Sequence, residues 1–137
     1  LSYGPDSFDK VGARSDNGAL LADAGVLVAL SAFSTHNART LRQVAGNAVR
    51  GGMRHADALA GITSVPAAAF GQADRGRIEV GAVADLVLWS GDPLELSSAV
   101  RAVFISGERM SLENRQTALR DRYRELPGTP LQALSVE

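Results

Sequence analysis

The sequence predicts an α/β fold in which a helix-strand-helix half is followed by a small β-rich half and a final helix. Three observations carry that prediction. An uninterrupted apolar run, Val26 to Leu30, stands between two stretches of helical period; short strand patterns separated by glycines occupy residues 71–110; and a charged helical pattern returns after Glu113.

Asn17 is a candidate N-cap for a short helix that places Leu20, Leu21 and Ala24 on one face and stops at Gly25. Val26 to Leu30 is apolar without alternation, the pattern of a strand covered on both faces in a parallel sheet. After the polar loop 31–37, the segment from Ala38 to Arg50 puts Leu41, Val44, Ala45, Ala48 and Val49 on one stripe, ended by Gly51-Gly52. A helical stretch from about Ala56 to Ile62 follows. Pro66 opens a further short helix over Ala67 to Phe70, closed by Gly71. Strands are expected over Arg77 to Val80, Asp85 to Trp89 and Val100 to Ile105, with Ser106-Gly107 as a hairpin turn leading to Arg109-Met110. Glu113 to Leu126 reads as a helix with Leu119, Tyr123 and Leu126 on one face, and the residues after it as a tail. Units are expected at 1–70, 71–110 and 111–137.

Composition narrows the function. With 14 basic and 15 acidic residues the formal net charge is -1, so no global field draws nucleic acid or an anionic membrane, and neither is expected as a partner. The 137 residues contain no cysteine, which excludes disulfides and thiolate metal sites. Hydrophobic residues at 45% and charged residues at 21% are ordinary globular values. Neither a secretory leader nor an apolar run long enough to span a bilayer is read, which fits a soluble protein of the cytoplasm or periplasm alike.

Three segments together resemble one known family. Gly76 to Pro93, GRIEVGAVADLVLWSGDP, is similar to the closing signature of the imidazolonepropionase-like branch of the amidohydrolase superfamily. Ala58 to Gly71, ALAGITSVPAAAFG, resembles that family's A-L-x-A-x-T-x-N-P-A-x-x-L-G segment, with Val65 in place of Asn and Phe70 in place of Leu. Ala22 to Ala48 is similar to the family's last barrel unit. The resemblance covers roughly residues 17 to 110. It implies the last strand-helix unit of a (β/α)8 barrel (strand about 26–31, helix about 38–50), then part of a small β-sandwich and a C-terminal helix. It also implies hydrolysis of C–N bonds by the complete enzyme, which holds a zinc-like divalent metal through residues on several barrel strands.

One departure decides what this chain contributes. Matching Val28-Ala29-Leu30-Ser31-Ala32-Phe33 to the family's eighth strand puts Phe33 where the family has its metal-binding, proton-transferring aspartate. A phenyl ring has no lone pair for a cation or a proton. No catalytic residue, metal ligand or cofactor is therefore assigned to this chain alone. Ser31, Ala32, Phe33, Ser34 and His36 are retained as pocket lining. His36 and His55 are the two histidines, and His55 reads as a helix-start residue. Asp85 and Asp92 read as turn carboxylates that satisfy backbone amides, and the arginines after Glu113 as a solvated helix face. An apolar strand such as Val26 to Leu30 needs neighbours on both edges, so the expected partner is a second copy of the chain or an N-terminal barrel portion; a non-catalytic oligomerisation or binding module is the alternative reading.

Overall fold

The computed structural model describes residues 14–32 and 35–124. Helices α1 (Asn17–Asp23), α2 (Leu41–Arg50), α3 (His55–Ala60) and α4 (Ser64–Ala69) form the first half. A three-stranded antiparallel sheet, β1 (Leu86–Trp89), β2 (Val100–Ile105) and β3 (Glu108–Met110), in the order β1-β2-β3, forms the second, and α5 (Arg115–Arg124) follows. A 3-10 turn over Thr35–Thr40 leads into α2.

Three helices end in the same way. After α1, α2 and α4 a glycine adopts positive φ (Gly25 82°, Gly52 105°, Gly71 74°). The next residue's N–H reaches back past it, Val26 to Leu21, Met53 to Ala48 and Gln72 to Ala67. This closes the last open carbonyls, and a Cβ at the glycine would oppose the backbone it requires. The cap of α1 is Asp16 rather than the expected Asn17.

The stripe expected on α2 is the buried one: Ala45 is fully buried and Leu41, Val44, Ala48 and Val49 are half-buried, whereas Gln43 and Asn47 are exposed. On α1 the inward face is Ala19 with Ala22, and the expected pair Leu20 and Leu21 stays 49% and 40% exposed. Small residues win this face because α1 and α2 approach closely. The core that results joins Ala19, Ala45, Met53 and Ala58 to Leu94, a residue of the turn after β1. One leucine thus inserts the β half into the helical half.

Two expected strands take no part in a sheet. Residues 26–32 enter no ladder, and Leu27 is 81% exposed. The Val26 N–H donates back to the Leu21 carbonyl at 3.0 Å, and the Leu30 N–H donates to the Gly61 carbonyl at 2.8 Å. A strand exists only with a partner, and the described residues supply no parallel one. Residues 77–80 lie between Gly76 (φ 76°) and Gly81 (φ 89°), and the Ala82 N–H folds back to the Glu79 carbonyl, which turns the segment before it can pair. The other two strands and the hairpin stand where the alternation placed them, β1 pairing Leu86 with Phe104 and β2 pairing Val103 with Met110. The last helix begins at Arg115, with the Asn114 side chain accepting the Gln116 and Thr117 N–H groups at 2.9 and 3.0 Å.

Candidate functional site

The loop after the apolar segment is the place where sequence reasoning puts pocket-lining residues. Its entrance is pinned by the Leu30–Gly61 bond and its exit is the 3-10 turn that becomes α2. Within it Ser31 is exposed, Ala32 half-buried and His36 exposed. Phe33 and Ser34 lie outside the described residues. Inside the turn the Thr40 hydroxyl donates to the Asn37 carbonyl at 2.7 Å, closing it on itself.

The carboxylates in the family-like motif serve the backbone. One oxygen of Asp85 accepts the Ser106 N–H at 2.8 Å and the other pairs with Arg75. The Ser106 amide, then the Arg75 guanidinium, holds the Asp85 carboxyl below the usual carboxylate range. Asp92 accepts the Leu94 N–H at 2.8 Å and contacts the His55 ring; that amide first, and the imidazole second, lowers its pKa as well. Both behave as turn carboxylates.

Two interactions escaped the sequence reading. His55 does begin a helix, yet its ring is directed to Asp92 in the turn after β1. Arg42, at the start of α2, donates to the carbonyls of Pro93, Glu95 and Ser98 and stacks on Trp89, 4.0 Å from the ring centroid. An arginine beside an apolar stripe is the only local signal for such a clamp, and it does not name the acceptors.

An open apolar cleft of about 190 Å³ lies elsewhere, between the end of α1, residues 26–28 and α3. Arg54 and Asp57 stand at it as a bidentate pair of 2.6 and 3.0 Å, and the bond to Asp57 raises the Arg54 pKa. None of the loop residues Ser31, Ala32 or His36 lines it.

Among the described residues no three or more His, Cys, Asp or Glu side chains are grouped so as to hold an ion. At the position where the resemblance expects an aspartate the sequence has Phe33. These residues do not fit the metal that the complete family enzyme uses, and they supply no step through it.

Comparison with known proteins gives this arrangement its context. The sequence model of a family described as "Amidohydrolase family" matches residues 9–110. Imidazolonepropionase of Ectopseudomonas mendocina (strain ymp) is 53% identical over 47 residues, which cover 34% of this chain and 12% of that protein. The crystal structure of an amidohydrolase from Thermotoga maritima MSB8 superposes with a TM-score of 0.66 at 35% identity, over 71% of this chain and 26% of that one. The matches thus span an eighth to a quarter of their relatives' lengths.

Proposed function

The chain belongs to the amidohydrolase family, and from that membership we propose that it is the C-terminal part of a metal-dependent hydrolase of C–N bonds in non-peptide or small peptide-like amides. In this reading, residues 1–70 close the catalytic barrel, with 26–31 as its last strand. Residues 71–110 form part of a small sandwich, and 111–137 an outer helix and tail. Ser31, Ala32, Phe33, Ser34 and His36 border the pocket. The metal and the proton-transfer groups come from residues outside this chain, which does not hydrolyse substrate alone.

The observation that carries the reading is the apolar segment 26–30, which joins no sheet among the described residues and leaves Val26 50% and Leu27 81% exposed. Covering these two aliphatic side chains would recover most of the roughly 1.5–3 kcal/mol of full burial at Leu27 and about half of it at Val26. Unpaired strand edges invite another strand. An upstream barrel portion would satisfy both needs, and the 26% coverage of the Thermotoga structure leaves ample length for one. A second copy of the chain would satisfy them too. Phe33 favours a second reading, a non-catalytic oligomerisation or binding module that keeps the family fold without its aspartate.

Native mass spectrometry of the assembly isolated from its source separates these readings. A species containing this sequence together with barrel strands that carry an H-x-H pair supports the hydrolase part. A homo-oligomer of this chain alone supports the module.

A further inference from the structure

We propose that Arg42 is a positioning residue that sets the place of the 3-10 turn Thr35–Thr40 by clamping the start of α2 to the β half. The 3-10 turn Thr35–Thr40 runs without a break into α2, and Arg42 is the second residue of that helix. Its Nε donates to the Pro93 carbonyl at 2.6 Å, and its Nη2 to the carbonyls of Glu95 at 2.5 Å and Ser98 at 3.3 Å. Its guanidinium carbon lies 4.0 Å from the Trp89 ring centroid. One planar cation therefore satisfies three carbonyls of a single turn and covers an aromatic face. A lysine, whose donors diverge from one point, cannot reproduce that fork and stack.

A second contact fixes the same helix face. One turn on, a Cβ at Gly46 would meet the Leu94 carbonyl oxygen at 3.1 Å, so α2 and the turn approach as closely as a residue without a side chain allows. With Leu94 buried in the helical core, the turn 92–98 is a fixed abutment. Arg42 is the polar link between it and the exit of the loop. The entrance is held independently by Leu30 and Gly61. Loss of Arg42 thus frees one end of the loop and leaves the other.

That this loop borders a substrate pocket rests on the proposed function; the clamp does not, and its test uses no activity. Hydrogen–deuterium exchange is measured on the full chain carrying R42M or R42K. In R42M, amides of residues 35–46 exchange at least about tenfold faster, the size of one lost charge-assisted hydrogen bond, while those of 55–62 change little. Emission of Trp89, the single tryptophan, shifts to the red as its face is uncovered. R42K, which keeps the charge, rescues only in part. Unchanged exchange over 35–46 in R42M overturns the proposal even if Trp89 emission shifts. If R42M raises exchange everywhere, R42K decides: a rise confined to 35–46 supports the clamp, and a uniform rise or none refutes it.

Discussion

Nε2 of His55 stands 3.0 Å from Oδ1 and 2.9 Å from Oδ2 of Asp92, joining the first residue of α3 to the turn after β1. The same Oδ1 accepts the Leu94 N–H at 2.8 Å. The carboxylate therefore stands between an imidazole at a helix start and the backbone of the leucine that enters the core. Arg42 binds the carbonyls of Pro93, Glu95 and Ser98 in the same connection, so an apolar insertion and polar ties from Arg42 and His55 join the helical and β halves.

Acid below about pH 4 should weaken the stability that the turn carboxylates supply. Asp92 and Asp85 have folded-state pKa values lowered by backbone amides, assisted by His55 and Arg75 respectively. A depressed carboxyl contributes stability that is full above its unfolded value, about 3.9, and is lost as pH falls through the folded value. The urea midpoint of the wild type should thus fall below about pH 4 more steeply than that of D92N. Midpoints that run parallel from pH 6 to pH 3 would show that Asp92 contributes nothing. The effect is modest, because both His55 and Asp92 are well exposed.

The hairpin turn carries measurable strain. Ser106 has φ 52°, in the left-handed region, followed by Gly107 at 84°. S106G should stabilise the chain by up to about 1 kcal/mol, the relief of the left-handed penalty less the added freedom of the unfolded glycine. D85A should lower Tm, since it strands the Ser106 N–H and leaves Arg75 without its partner. Thermal unfolding followed by circular dichroism checks both; a lower Tm for S106G contradicts the account.

Gly61 is required by contact rather than by conformation. A Cβ there would lie 2.8 Å from the Val28 carbonyl oxygen, a rigid neighbour. G61A should cost on the order of 2 kcal/mol and disturb the Leu30–Gly61 bond. At Gly18 the nearest atom, 3.1 Å away, is the flexible end of Met53. G18A should therefore be clearly milder, and equal costs in urea denaturation would count against this reading of the packing.

Met53, 3% exposed, is with Leu94 one of the two large side chains among the buried members of the helical core, whose others are alanines. M53A should cost about 2–4 kcal/mol, through lost burial and the space left behind. A loss below about 1 kcal/mol in the same assay would mean that the alanine-lined helices close over the gap.

Local patterns were legible where local chemistry decides the outcome. The glycines after α1, α2 and α4 marked helix ends because positive φ is a property of the residue. The apolar stripe of α2 and the strands Leu86–Trp89 and Val100–Ile105 followed from period and turn residues. Asp92 was readable as a turn carboxylate because a short acceptor beside a proline finds a nearby amide. Asp85 also accepts a turn amide, but that of Ser106, 21 residues on, which the local pattern does not name. Val26 to Leu30 could not be settled locally, since a strand depends on partners. The inward face of α1 depends on how closely α2 lies, so alanines displaced the leucines. Arg42 and His55 meet partners dozens of residues away, a distance over which spacing carries no signal. The loop residues Ser31 to His36 were placed by resemblance, and their part in a pocket belongs to the proposal.

The most direct test of the central claim combines elemental analysis for divalent metals with an assay of C–N bond hydrolysis on small cyclic and acyl amides. Both are run on the isolated 137-residue chain and on its native assembly. The account predicts no stoichiometric metal and no turnover for the chain alone, with metal and activity confined to an assembly that contains further barrel strands. Stoichiometric metal and turnover in the isolated chain would contradict it, because its own side chains would then be completing a site that Phe33 leaves without its aspartate.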